Sequence, residues 1–133
     1  MAFEEVSERE AIRLLVTTEA KYLHVYYVTT TGRRGEVRGT DMSGEGFWMK
    51  VVKPTLISEP DKAPEFQVKC RIPAKTVSLL VVRRRKILYR HDLIERDVNK
   101  RQPQIYEFTF GPFIDAGGHT AGYWHMPMGH YVS

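Results

Sequence analysis

Phe66-Gln67-Val68-Lys69-Cys70-Arg71-Ile72, entered from Glu65 and left through Pro73, decides the fold class of this chain. Phe66, Val68, Cys70 and Ile72 fall on one face, and Gln67, Lys69 and Arg71 on the other. That period of two belongs to a half-buried strand. Working outward, similar segments recur. Thr76–Arg83 reads as another strand, and residues 86–89 extend it after a bend. Gln104–Phe110 places Tyr106, Phe108 and Phe110 on one side. Upstream, residues 21–30 are rich in Tyr, Val and Thr, the side chains that suit a pleated surface. Residues 31–35 make a turn, 36–40 a second strand and 46–53 a third. Residues 54–64 hold three prolines and two acids and read as a loop. Two segments break the pattern. Ser7-Glu8-Arg9-Glu10 is a capping box that opens a short helix over residues 8–18, and residues 92–100 contain a helical turn.

About six short strands separated by turn signals predict a mainly β fold, a small antiparallel six-stranded β-barrel preceded by a short helix. The 133 residues suit one such domain over 1–110, followed by an extension over 111–133. The extension is rich in Gly and aromatic residues and carries His119, His125 and His130. Their spacings match no common ligand pattern, so no metal is expected. Its aromatic side chains predict packing on the barrel or on a second copy, and through the latter a homo-oligomer. Apolar residues at 42% and charged residues at 27% exclude a disordered chain. Cys70 is the only cysteine, which excludes an internal disulfide and fits a reducing compartment. The acidic N-terminus lacks the pattern of a signal peptide, and no apolar run is long enough for a membrane span, so a cytoplasmic protein is expected.

The net charge is +4, and it is unevenly spread. Residues 71–101 hold ten Lys or Arg, with Arg83, Arg84 and Arg85 consecutive, against Asp92, Glu95 and Asp97. Such a block implies an anionic partner: a phosphate ligand, a nucleic acid or an acidic protein. A solvated strand face with a mixed-charge helix gives the same composition. A second basic group, Arg34 and Arg38, lies just ahead of Asp41-Met42-Ser43-Gly44-Glu45-Gly46. Asp and Ser side chains hold turns through backbone amides, and Gly allows a ligand close to the main chain. This segment therefore reads as a structural turn or as a ligand rim.

Asp41-x-Ser43-x-x-Gly46 resembles the second motif of the PilZ family, the bacterial cyclic di-GMP receptors. The partner motif Arg-x-x-x-Arg has a match in Arg9-Glu10-Ala11-Ile12-Arg13, 28 residues before Asp41. The Ile72-Pro73 step and the strand ending at Arg83 follow in the family's order, so the resemblance covers residues 9–110. It implies a β-barrel signalling module without enzymatic activity or a cofactor, which binds cyclic di-GMP and passes the signal to a protein partner. Arg9 and Arg13 would clamp guanine edges and phosphates, Asp41 would accept from guanine N–H groups, and Ser43 and Gly46 would meet the ligand from the turn. Arg34, Arg38, Arg83, Arg84 and Arg85 would form auxiliary basic patches.

Other classes stay open. A helix followed by bent strands over 8–82, with Gly39-Thr40-Asp41, is similar to an Sm-like barrel, which implies RNA or single-stranded DNA as partner. An assembly subunit would use the aromatic extension as its interface. No nucleophile with an adjacent base stands out in the sequence, so no enzyme is expected.

Overall fold

The computed structural model describes residues 2–39 and 50–113 and the backbone of residues 129–130. Ser7 starts the main helix: its hydroxyl accepts from the Glu10 amide at 3.2 Å, and α1 runs over Glu8–Thr17. Ala11 and Leu15, one turn apart, are fully buried, so one face of α1 packs on the core and the other carries Arg9 and Arg13. The chain leaves α1 through a single 3₁₀ turn at Ala20–Tyr22. The first long strand therefore begins at His24 rather than at residue 21.

That strand, β2 (His24–Thr29), follows the two-residue β1 (Glu4–Glu5). It pairs antiparallel with β3 (Arg34–Glu36) on one side and with β6 (Thr76–Arg83) on the other. β6 turns directly into β7 (Lys86–Asp92), which is a full strand rather than a bent extension. A second sheet contains β4 (Thr55–Leu56), β5 (Phe66–Ile72) and β8 (Gln104–Phe110), with β5 in the centre. The short α2 (Glu95–Val98) joins β7 to β8, and β9 (Gly129–His130) returns to pair with β7.

The fold is mainly β, but the expected six-stranded barrel is corrected to two sheets, with no closed barrel among the described residues. Closure would require β8 to pair with the outer edge of β7. That edge is already taken, by β1 at Lys86 and Ile87 and by β9 at Arg90 and His91. The sheets are instead joined at one corner. Arg38, two residues past β3, bridges Arg71 of β5 on one side and Val51 on the other.

The two sheets pack through the faces that the alternation predicts. Phe66, Val68, Cys70 and Ile72 of β5 and Tyr106, Phe108 and Phe110 of β8 are buried in one cluster with Val25, Leu79, Val81 and Tyr89 of the larger sheet. Phe110 stacks between Phe66 at 5.1 Å and Tyr89 at 5.2 Å. The other face of the larger sheet holds a smaller cluster of Leu80, Val82 and Ile87 against Phe3, Tyr26 and Val28. Burial pushes the Cys70 thiol up to about 12, so it behaves as a small core residue. His91 also sits between the sheets, 4% exposed, stacked on Phe108 at 4.4 Å with Nε2 2.8 Å from the Tyr106 hydroxyl. Burial drives its imidazole down to about 4, against the opposing pull of Asp92 and Asp97.

Candidate functional site

The fold gathers basic side chains in two places, the β6–β7 hairpin and the β3 edge of the larger sheet where Arg38 bridges β5. At the hairpin they lie on and beside the turn. Arg83 pairs with Lys86 across it, which leaves Arg84 and Arg85 as a two-residue turn with φ of 49° and 69°. Positive φ at both positions is the geometry of a type I′ turn, usually supplied by Asn-Gly because side chains with a Cβ are strained there. Arg83 Nη1 donates to the Thr18 hydroxyl at 2.6 Å, and its guanidinium lies 5.5 Å from the centre of the Tyr22 ring. Lys86 Nζ reaches Glu10 Oε1 at 3.0 Å, and Arg13 approaches the same oxygen at 3.8 Å. The Arg9–Arg13 motif thus lies on a capped helix packed against β7, with Arg9 exposed and Arg13 grouped with the hairpin.

Arg34 lies on β3, at the opposite edge of the sheet from β7, with β6 and β2 between them. Its guanidinium sits 5.2 Å from the centre of the Phe3 ring. Arg38 lies farther along, where the chain crosses from one sheet to the other. The structure therefore does not unite the two Arg-x-x-x-Arg motifs. Asp41, Ser43 and Gly46 lie outside the described residues. The stem that carries their segment is described: the Gly39 amide donates to Lys50 O at 3.0 Å and the Val52 amide to Val37 O at 3.2 Å, with Arg38 between them.

Along this β3 edge lies a cleft of about 460 Å³, lined by Tyr27, Arg33, Glu36, Arg38, Arg71 and Ile72 with Pro73 and Pro103. Each element contributes for a local reason. Arg71 is an outward position of the β5 alternation, and its amide donates to Arg38 O at 2.8 Å, which fixes the two arginines side by side. Arg33 ends the turn before β3 and donates from Nη2 to the Tyr27 hydroxyl at 3.2 Å. The outer end of the Tyr27 ring packs against Gly35, where a Cβ would force the ring to shift. Pro73 and Pro103 follow the last registered pair of the second sheet, Ile72 and Gln104. Lacking N–H groups, they end the ladder and leave an apolar floor.

Glu36 is the only carboxylate among the described lining residues, and its Oε2 lies 2.8 Å from His24 Nδ1. Lys53 Nζ lies 3.0 Å from that same nitrogen. A neutral Nδ1 either donates to Glu36 or accepts from Lys53, so these two contacts exclude each other. The negative side chain raises the Tyr26 hydroxyl pKa further, after the larger effect of burial.

Pro103 also lines a second hollow of about 420 Å³, formed with Lys100, Arg101, Gln102 and Gln104. Gln104 Nε2 donates to Asp97 O at 3.0 Å, and the Lys75 amide donates to Lys100 O at 3.3 Å, so this segment is held against the β5–β6 turn. Arg33, Arg71, Tyr27 and Glu36 are not anticipated from the sequence as site residues. Arg71 is readable as an outward charge on a strand, but nothing local announces its register with Arg38. Among the described residues, no group of three or more His, Cys, Asp or Glu is placed to hold a metal. No described helix is long and apolar enough to cross a membrane. Comparison with family models, curated proteins and solved structures gives no match.

Proposed function

We propose that this chain is a non-enzymatic module that binds a phosphodiester nucleotide, with the arginine cleft as its site. The observation that carries this reading is the direct antiparallel register of Arg38 with Arg71. That register sets two guanidinium-bearing residues side by side where one phosphate can meet both, because their planar forks match phosphate oxygens through paired, charge-assisted hydrogen bonds. Arg33 adds a third guanidinium to the same hollow, and the volume of about 460 Å³ is that of a small-ligand site. The lining side chains hold charge. None of them is a serine, cysteine or histidine suited to nucleophilic attack.

Cyclic di-GMP, the ligand implied by the PilZ resemblance, suits these groups. Its phosphodiesters meet the arginines, guanine O6 and N7 accept from a guanidinium fork, and its N1–H and N2–H donors meet Glu36. Arg38 and Arg71 then take the clamping role that the resemblance assigns to Arg9 and Arg13. Asp41, Ser43 and Gly46 belong to the segment carried on the same stem as Arg38. A ligand held where the sheets meet favours whichever arrangement of them it contacts best, which is how binding would be passed to a protein partner.

Calorimetric titration with cyclic di-GMP and with linear pGpG tests the reading. Arg38→Ala and Arg71→Ala are each expected to weaken binding about tenfold or more, whereas Arg9→Ala and Arg13→Ala leave it unchanged. Loss of binding in the two helix variants alone would return the clamp to α1. No heat with the native chain at high micromolar ligand sinks the proposal.

A further inference from the structure

We infer that the cleft is the first subsite of a longer groove, and that this groove takes a single strand of nucleic acid. The inference rests on the reading of the cleft as a phosphodiester site and names the substrate class of that site. Three observations carry it. First, the two hollows adjoin one residue: Pro103 lines both. Second, the same sign of charge continues from one to the other. Arg33, Arg38 and Arg71 lie around the first, Lys100 and Arg101 line the second, and the Lys75–Lys100 backbone contact brings one more lysine to the join. This is more cationic groups than a dinucleotide has phosphates, and they follow a path rather than a point. Third, the floor between the cations is apolar. The Pro73 and Pro103 rings sit at the end of the β5–β8 ladder beside Ile72, and Tyr27 stands at one end.

Alternating cations with flat or apolar surfaces fit a chain that alternates phosphates with sugars and base faces. An acidic peptide presents charge without such faces, so the rings would gain nothing from it. Gln102 adds an uncharged amide that can donate to and accept from base edges in the second hollow. The described elements around the groove are the β2–β3 turn, strand termini and the 100–103 segment, with the one-turn α2 just before that segment. Single strands, whose bases can turn toward a surface, suit it.

The test is fluorescence anisotropy on the full chain with end-labelled di-, tetra- and octanucleotides of uridine and of thymidine, each over a range of salt. Affinity is expected to rise more than tenfold from the dinucleotide to the octanucleotide. Lys100→Gln with Arg101→Gln, both at exposed positions, should leave dinucleotide affinity intact and remove most of that gain. The double variant should also flatten the plot of log K against log salt by about 1.4, or about 0.7 for each cation removed. Equal affinity for the dinucleotide and the octanucleotide overturns the groove and leaves the cleft standing. An unchanged length gain or salt slope in the double variant overturns it as well. Displacement of the octanucleotide by polyglutamate at matched charge shows simple charge attraction and also overturns it. If none of these oligonucleotides binds, the groove fails, and the cyclic di-GMP titration alone decides the cleft.

Discussion

The hairpin end and the cleft end of the larger sheet are both rich in arginine, and they use it differently. The hairpin joins β6 to β7, and the cleft lies at the β3 edge where Arg38 meets β5, with β2 between them. At the hairpin, Arg83 donates to Thr18 just after α1, and Lys86 pairs with Glu10 on it. They fasten the helix to the sheet. At the cleft, Arg38 faces Arg71 and Arg33 lies against Tyr27 around an open hollow. Density of positive charge is similar at both ends, so density alone does not locate a binding site. What each guanidinium faces decides whether it serves the fold or a ligand.

The largest expected effect tests whether the two ends belong to one cooperative unit. His91 lies between the sheets, with its pKa lowered by burial from 6.5 to about 4. As pH falls, the unfolded chain takes up the proton first, so folding holds fewer protons across that window. Stability is full above about 6.5 and declines toward pH 4, by an amount on the order of 3 kcal/mol. Urea unfolding at neutral pH and near pH 4 measures the difference, and His91→Phe should shrink it. Probes at Tyr22 and Tyr27 should report the same transition. Separate transitions would split the molecule into two independently stable halves and remove the basis for comparing its ends.

Thr18→Val sharpens the comparison next. Thr18 is 8% exposed and receives the 2.6 Å bond from Arg83. Removing the acceptor of a charge-assisted bond in such a setting is expected to lower stability by about 2 kcal/mol. Thermal melts give that loss, and calorimetry should find nucleotide affinity unchanged. A variant that melts normally but binds weakly would place ligand contacts at the hairpin and dissolve the distinction.

The parts of this structure that are legible in the sequence are those with a local period. Phe66 to Ile72 and Gln104 to Phe110 alternate strictly, and Ser7 with Glu10 marks a helix start, because each pattern lies within one element. Barrel closure is not legible. It depends on which strand occupies the outer edge of β7, and β1 and β9 are two-residue strands with no period to read. The same limit applies to the site. Arg-x-x-x-Arg is both a ligand motif and the i,i+4 repeat of a helix surface. For Arg9 and Arg13, only the contacts of α1 distinguish the two. Arg71 looks like any outward strand residue until the bridge to Arg38 is known, and that bridge joins two sheets.

A smaller effect, of opposite sign, is expected from Arg84→Asn with Arg85→Gly. Both native residues hold positive φ, which an Asn-Gly pair adopts at lower cost. The double variant should gain about 1 kcal/mol in chemical denaturation, without loss of nucleotide affinity. A gain in stability with a clear loss of affinity would mean that the strained arginines are kept for a ligand, and the hairpin would join the cleft as a functional region.

The smallest stability change carries the most information about function. Arg38→Glu places a carboxylate opposite Arg71, so the cross-strand pair becomes one of opposite charges. Both residues lie near the surface, so the gain is about 0.5 kcal/mol and shrinks with added salt. Nucleotide binding should fall by about a hundredfold, because one clamp is lost and a negative charge stands where phosphate would sit. A purely structural arginine predicts the reverse pairing: lower stability and no effect on ligand. A site that is more stable without its function is the signature of residues kept for binding. Measuring stability and affinity on this one variant, in low and high salt, therefore separates a ligand cleft from a solvated strand face more directly than either measurement alone.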